Sequence, residues 1–440
     1  VQLMKKIILP LLTSVLLTAM AACSKVEGDV RFTDLPDEPL QPWSLEKARD
    51  WYAAQPWIVG CNFFPSTAIN QIEMWQSSTY DHETIDRELG WAADLGFNTV
   101  RVFLHSAVWE YEHDAFFRNI DDFLTLTDKH GIKVMFCFFS GAGDRVDRCQ
   151  IGKQLDPVAG IHNLDFKGDP AVIDENEKAI PERFDLMRMY VEEVVARYRE
   201  DDRILIWEAW NEPGTASTRE DIVSELLPKT IQWIRGQQPV QPITVGIHSP
   251  DRDHAAFGEI ALSMSDINSY HSYSPWEDLY TDTGTQLVGM KNFAMAILAY
   301  GRPVICSEYL ARGGAYKGTF ENTLPFMKQY RIGAINWGLV WGKTNTIWPW
   351  GSVAGDPEPE YWFHDILYPD GIPAIYTLKN FALTKVDGTD MTYAEYVAEH
   401  SSEWTNIMTN LGFYWADASA AVAEPDWANL DWATLTQKAA

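Results

Sequence analysis

Two acidic side chains close runs of sequence that are otherwise apolar. One run ends Trp207-Glu208-Ala209-Trp210-Asn211-Glu212-Pro213, and another reads Pro303-Val304-Ile305-Cys306-Ser307-Glu308-Tyr309. A bare carboxylate at the end of a buried strand is costly unless it has a partner or a task. Two carboxylates facing each other across a cleft are the equipment for hydrolysing a glycosidic bond, one giving a proton and the other acting as nucleophile or base. Other polar groups sit at similar places. In Ile267-Asn268-Ser269-Tyr270-His271-Ser272-Tyr273 a period of two puts His271 and Tyr273 on one face, and the same period puts Arg101, Phe103 and His105 on one face of another run. An ion pair explains a single strand-end Glu, and packing explains a single His or Tyr. Their convergence on one end of one sheet is what indicates a site. Glu208, four residues before Glu212, is better read as a structural ion-pair partner than as a third working acid.

These residues need elements to hold them. Apolar runs suited to buried strands occur at Trp57 to Phe64, Asn98 to His105, Lys133 to Ser140, Ile204 to Trp210, Ile243 to Ile247, Ile267 to Tyr273, Pro303 to Tyr309 and Ala334 to Val340. Helical spacing appears between them, as in Ile85, Leu89 and Ala92, or Phe184, Met187, Val191, Val194 and Tyr198. Gly96 and Gly131 stand where helices should stop. Strand then helix, repeated with strands apolar on both faces, predicts an α/β fold of the (β/α)8 TIM-barrel kind. A doubly wound open sheet would need a G-x-G-x-x-G turn after an early strand, and none is present. Long insertions at Gly141 to Ile180 and at Trp341 to Tyr361 follow strand C-termini, the barrel face that carries active sites. Residues 386–440 keep helical spacing at Tyr393, Val397, His400, Trp404, Ile407 and Leu411 and predict a helical C-terminal extension.

The set Trp-Glu-x-x-Asn-Glu-Pro on the fourth run, a Glu ending the seventh, His-x-Tyr on the sixth and Trp337 on the eighth resembles the large clan of retaining glycoside hydrolases with (β/α)8 barrels. It is nearest the family 5 cellulase and mannanase group, and the resemblance covers 43–385. It implies that Glu212 is the acid/base, Glu308 the nucleophile and Asn211 the group that hydrogen-bonds the sugar 2-hydroxyl. Arg101, His271 and Tyr273 would hold and polarise the nucleophile, and Trp337 would floor the subsite of the sugar being cleaved. Arg101 and Tyr273 are expected to lower the pKa of Glu308, and a more apolar setting to raise that of Glu212. The third run lacks the His that many members have near its end, for which His105 is a candidate substitute. Trp341, Trp348, Trp350 and Trp276 follow the eighth and sixth runs and are candidate platforms for sugar rings. The implied activity is hydrolysis of O-glycosyl bonds by an endo-β-glycanase of cellulase, mannanase or xylanase type. Neither glycan, linkage nor internal against terminal cutting follows from the sequence. The implied chemistry requires no cofactor and no metal.

Composition narrows the partners. With 35 basic and 62 acidic residues the formal charge is −27, which disfavours nucleic acid and suits a neutral polysaccharide or oligosaccharide. Residues 1–23 read as a lipoprotein-type signal: Lys5 and Lys6, an apolar stretch from Ile7 to Leu17, and Ala21-Ala22 before a lipidated Cys23. Residues 24–42 read as a tether. The expected location is therefore extracytoplasmic, lipid-anchored at a bacterial membrane, in the periplasm or at the cell surface. The remaining cysteines, Cys61, Cys137, Cys149 and Cys306, show no metal spacing and are read as free and buried. The rival reading is a glycan-binding protein that kept the barrel and lost turnover, which would need one carboxylate missing or misplaced.

Overall fold

The computed structural model describes residues 38–374, apart from 142, 216–218, 249–254, 281–285, 288, 313–315 and 317. The readings of a signal at 1–23, of most of the tether and of a helical extension at 386–440 lie outside the described residues. All eight apolar runs form strands: β1 (Val59–Asn62), β2 (Thr99–Phe103), β3 (Lys133–Ser140), β4 (Ile204–Asn211), β5 (Ile243–Ile247), β6 (Asn268–His271), β7 (Val304–Glu308) and β8 (Gly333–Asn336). Each pairs in parallel with its neighbours in sequence, and β8 closes on β1 through Val59 opposite Ala334 and Cys61 opposite Asn336. The closed parallel barrel explains why the strands read as continuous apolar runs. Residues on one face fill the interior, and those on the other meet the helices.

The helices are α1 (Leu45–Ala53), α2 (Gln71–Trp75), α3 (His82–Asp94), α4 (Ser106–Tyr111), α5 (His113–Lys129), α6 (Glu182–Tyr198), α7 (Glu220–Gly236), α8 (Ala255–Met264), α9 (Lys291–Leu298) and α10 (Phe320–Gln329). Local chemistry sets their ends. Asp81 caps α3 by accepting from the backbone N–H of Thr84, and Thr319 and Asn322 form a reciprocal capping box at α10. Gly96 and Gly131 have φ of +85° and +68°, and the following residues, Phe97 and Ile132, bond back to Ala92 and Thr127. Both helices thus stop at the expected glycines, in the left-handed turn glycine adopts without a Cβ penalty.

Two apolar layers result. The larger fills the space between strands and helices. The smaller, with Ile58, Met135, Leu205, Ile206, Ile267, Ile305 and Ile335, plugs the barrel near the N-terminal strand ends, where Tyr52 of α1 joins it and donates to the carbonyl of Arg331 across 2.8 Å. The opposite end is left for polar groups. Cys61, Cys137, Cys149 and Cys306 are free and buried.

Candidate active site

Arg101 on β2 organises that end. Its Nε and Nη2 donate to Glu208 across 2.5 and 2.9 Å, Nη1 donates to Glu308 (2.7 Å) and Asn62 (2.6 Å), and Nη2 also donates to Asn211 (2.6 Å). Arg101 and Glu208 are fully buried and 2.5 Å apart, so Glu208 is an ion-pair partner, as read from the sequence. Glu208 and Asn211 are three residues apart, an odd spacing that should send them to opposite faces. The register of β4 against β5 shifts between them; the bulge absorbs one residue and returns Asn211 to the interior.

Glu212 reaches the same space by a second device. Its φ is +48°, in the left-handed region that costs a non-glycine residue energy, and its N–H donates to the carbonyl of Gly246 across 2.8 Å. The adjacent Asn211 and Glu212 can then both address one cavity. A second bulge lies on β7, between Cys306 and Glu308, and sets Glu308 opposite His271 of β6.

The two carboxylates share a neighbourhood. Tyr273 donates its hydroxyl hydrogen to Glu308 Oε2 across 2.5 Å. His271 Nδ1 lies 2.7 Å from Glu212 Oε1 and 3.4 Å from Glu308 Oε2. Burial holds the His271 imidazole neutral, its pKa lowered to about 4 even though Glu308 pulls the other way. Burial likewise raises the pKa of Glu212, against the positive fields of His248 and Arg101. Glu308 departs from expectation. Burial, with the charge of Glu212 added, raises its pKa although His271, Arg101 and Tyr273 oppose that rise. The expectation for Glu308 weighed its partners and left out its own desolvation.

Gly246 makes room for this cluster. A Cβ there would stand 2.4 Å from Glu208 Oε1 and 2.9 Å from His271 Nε2. Glu212, His271 and Glu308 each present a ligand-capable atom within 4.8 Å of the others, the group of that kind among the described residues. A cation held there would compete for oxygens that His271, Tyr273 and Arg101 already engage.

Above these groups lies a cavity of about 710 Å³, with Asn211, Glu212, Tyr273, Glu308, Trp337 and Trp350 in its wall. That volume falls in the range of roughly 300–1,000 Å³ usual for small-ligand sites. Trp337 follows β8 directly, pinned by its N–H to the carbonyl of Tyr309 across 2.9 Å. Two residues expected at the substrate are placed elsewhere. His105 is fully buried and accepts the N–H of Ala107 as the cap of α4. Trp341 packs edge-on against Trp348 and Trp362 inside the loop after β8. Of the other loop tryptophans, Trp276 stacks on Phe326 and Tyr330, and Trp348 is buried, its N–H given to the carbonyl of Pro357. Trp350 alone of the four candidate platforms lines the cavity, 41% exposed.

The sequence reading missed Asn62 and His248. Asn62 ends β1 and ties Arg101 to the carbonyls of Ser307 and Asn336. His248 follows β5 and lines the cavity beside Glu212. Both stand at strand ends, the signal that found the others, but neither has a polar neighbour at period two to single it out.

Comparison with known proteins adds a family context. The cellulase model, described as glycosyl hydrolase family 5, matches residues 65–342. Mannan endo-1,4-beta-mannosidase A of Emericella nidulans is 23% identical over 179 residues, 39% of this chain and 44% of that protein. Probable mannan endo-1,4-beta-mannosidase A-2 of Aspergillus terreus is 22% identical over 258 residues, 55% of this chain and 59% of that protein. The chain thus spans about half the length of the curated relatives it matches. Among solved structures, GH5_18 from Streptomyces cattleya in complex with GlcNAc aligns over 79% of this chain and 80% of that one, with 14% identity and a TM-score of 0.48.

Proposed function

The chain belongs to glycosyl hydrolase family 5, the cellulase family, and from that premise we propose that it is a retaining β-glycanase using Glu308 as nucleophile and Glu212 as acid/base. The observation that carries the reading is the pair itself: an oxygen of Glu212 and one of Glu308 lie within 4.8 Å in one cavity wall. Retaining hydrolases hold their carboxyl groups about 5–5.5 Å apart, and inverting ones about 6.5–9.5 Å, to admit a water.

In the first step a Glu308 oxygen attacks the anomeric carbon while Glu212 gives its proton to the departing glycosidic oxygen, leaving a glycosyl ester on Glu308. In the second, Glu212, now ionised, takes a proton from water as the water oxygen attacks the same carbon and Glu308 leaves as carboxylate. Arg101 and Tyr273 stabilise the carboxylate before and after the ester, and Asn211 is in position for the sugar 2-hydroxyl. Esterification removes the charge of Glu308, so Glu212 loses a repulsive neighbour when it must act as a base, which favours its ionised form.

β-1,4-Mannan is the substrate class to assay first, because the curated relatives are named endo-acting mannosidases. A lipidated Cys23 and an extracytoplasmic location belong to the same proposal, supported by the basic, apolar and small-residue order of residues 5–23. Loss of the protein from the membrane fraction on Cys23→Ala checks the anchor. The enzymatic reading is tested with mannan, cellulose and xylan substrates and aryl β-glycosides, following the first-formed anomer by NMR. Retention of the β configuration is expected; inversion, or no hydrolysis of any substrate, overturns the reading. The presence of both carboxylates in the cavity wall favours turnover over the glycan-binding alternative.

A further inference from the structure

The two sides of the cavity are built differently. The acid Glu212 has to reach the glycosidic oxygen, so the leaving group lies on its side, along Thr215, Arg219 and His248. The sugar being cleaved would then lie over Glu308, in the part of the cavity that Trp337 also lines. Behind Trp337 stands a wall of rings. Trp337 meets Phe103 and His364 at centroid distances of 6.1 and 6.4 Å, Phe103 meets Phe166 at 5.4 Å, and His162 meets His364 and Trp350 at 5.3 and 5.9 Å.

Apart from Phe103 at the end of β2, the wall comes from two loops, one after β3 and one after β8, which are stitched together. The N–H of Asn163 donates to the carbonyl of Thr344 (2.7 Å), that of Gly355 to Ala159 (3.0 Å), Asn345 Nδ2 to Val158 (2.9 Å) and His162 Nδ1 to Trp348 (2.6 Å). Gly160, with φ of +89°, comes so close that a Cβ would stand 2.3 Å from the carbonyl oxygen of Val353. The segment after β1 braces both loops, through Asn70 to Asp165 (2.8 Å) and Glu73 to Lys343 (2.7 Å). Loops held by this many cross-bonds act as a fixed wall, in contrast to the usual mobility of connecting segments.

We propose that this bridge ends the glycon side behind a single sugar, so that the enzyme cuts the first glycosidic bond at the non-reducing end of its chain. The inference deepens the glycanase reading and rests on it. It assigns to residues 158–163 and 344–355 the choice of bond. Trimming or loosening the bridge would open the site to internal cutting.

The test uses the full chain and β-1,4-mannohexaose labelled at its reducing end, with cellohexaose and xylohexaose in parallel. The labelled pentaose should appear first, followed in order by shorter products, with monosaccharide as the unlabelled partner. Labelled disaccharide and trisaccharide at the outset would overturn the proposal. Gly160→Leu, and as a second variant Asn345→Ala, should raise the share of internal cuts about tenfold with the anomeric outcome unchanged. An unchanged product order in folded variants removes the bridge as its cause. The wild-type order decides the matter if neither variant folds. Failure to hydrolyse any hexaose or aryl glycoside overturns the glycanase reading, and this inference with it, whereas hydrolysis in the wrong order overturns this inference alone.

Discussion

His271 Nδ1 stands 2.7 Å from Glu212 Oε1, and burial holds the imidazole neutral, its pKa lowered to about 4. When Glu212 is protonated it donates to Nδ1, and when it is ionised Nδ1–H donates to it.

The carboxylate pair gives the plainest expectation. Glu308→Gln and Glu212→Gln should each lower kcat by about 10²–10⁴-fold or more, with unchanged circular dichroism. Their roles separate with an activated aryl glycoside. Azide should rescue Glu212→Ala and give a β-glycosyl azide, but should not give that product with Glu308→Ala. Wild-type turnover in either purified Gln variant would sink the assignment.

A pH profile tests the electrostatics. Activity requires Glu308 ionised and Glu212 protonated, so the acid limb follows Glu308 and the alkaline limb Glu212. Burial raises both, and the bell should sit above the ordinary carboxylate range. Tyr273→Phe removes a hydrogen bond that lowers the Glu308 pKa; its acid limb should move to higher pH. An unmoved limb would mean that the Tyr273 hydroxyl does not tune the nucleophile.

Gly246 is expected to tolerate no side chain. Gly246→Ala puts a methyl group 2.4 Å from Glu208 Oε1 and 2.9 Å from His271 Nε2. Overpacking of this kind costs about 1–3 kcal/mol, read as a lowered urea midpoint, and displacement of His271 should lower kcat more than it raises KM.

His105 and Trp350 form a contrasting pair. His105→Ala should cost stability, with loss of the cap contributing about 0.5–2 kcal/mol, and leave KM near wild type because His105 lies away from the cavity. Trp350→Ala should raise KM, since Trp350 is 41% exposed in the cavity wall. Equal KM effects from both would contradict the placement of the two side chains.

The eight strands were legible because a closed parallel barrel buries both faces of each strand, and continuous apolar runs such as Val134 to Phe139 have few other uses. Glu212 and Glu308 were legible for the converse reason, being charges where apolar residues were expected. That Asn211 and Glu212 share one cavity does not follow from a regular strand, in which adjacent residues face opposite sides. The structure uses both a bulge and a left-handed residue, neither of which leaves a glycine or proline at Glu212 itself to announce it. Among the loop tryptophans the sequence carried no ranking. Trp276, Trp341 and Trp350 have similar polar and aromatic neighbours in the chain, and tertiary packing alone decides which ring faces the cavity. The upward shift of Glu308 was missed because desolvation depends on burial that only the assembled site provides.

Arg101 has one further consequence. Its guanidinium joins Asn62 of β1, Glu208 and Asn211 of β4 and Glu308 of β7, the last of them 207 positions from Arg101 along the chain. No half of the barrel contains all of them. Catalytic geometry therefore requires β1, β2, β4 and β7 to be in place together. Turnover should be a cooperative reporter of ring closure, silent in any partly assembled form however much helix and sheet that form retains.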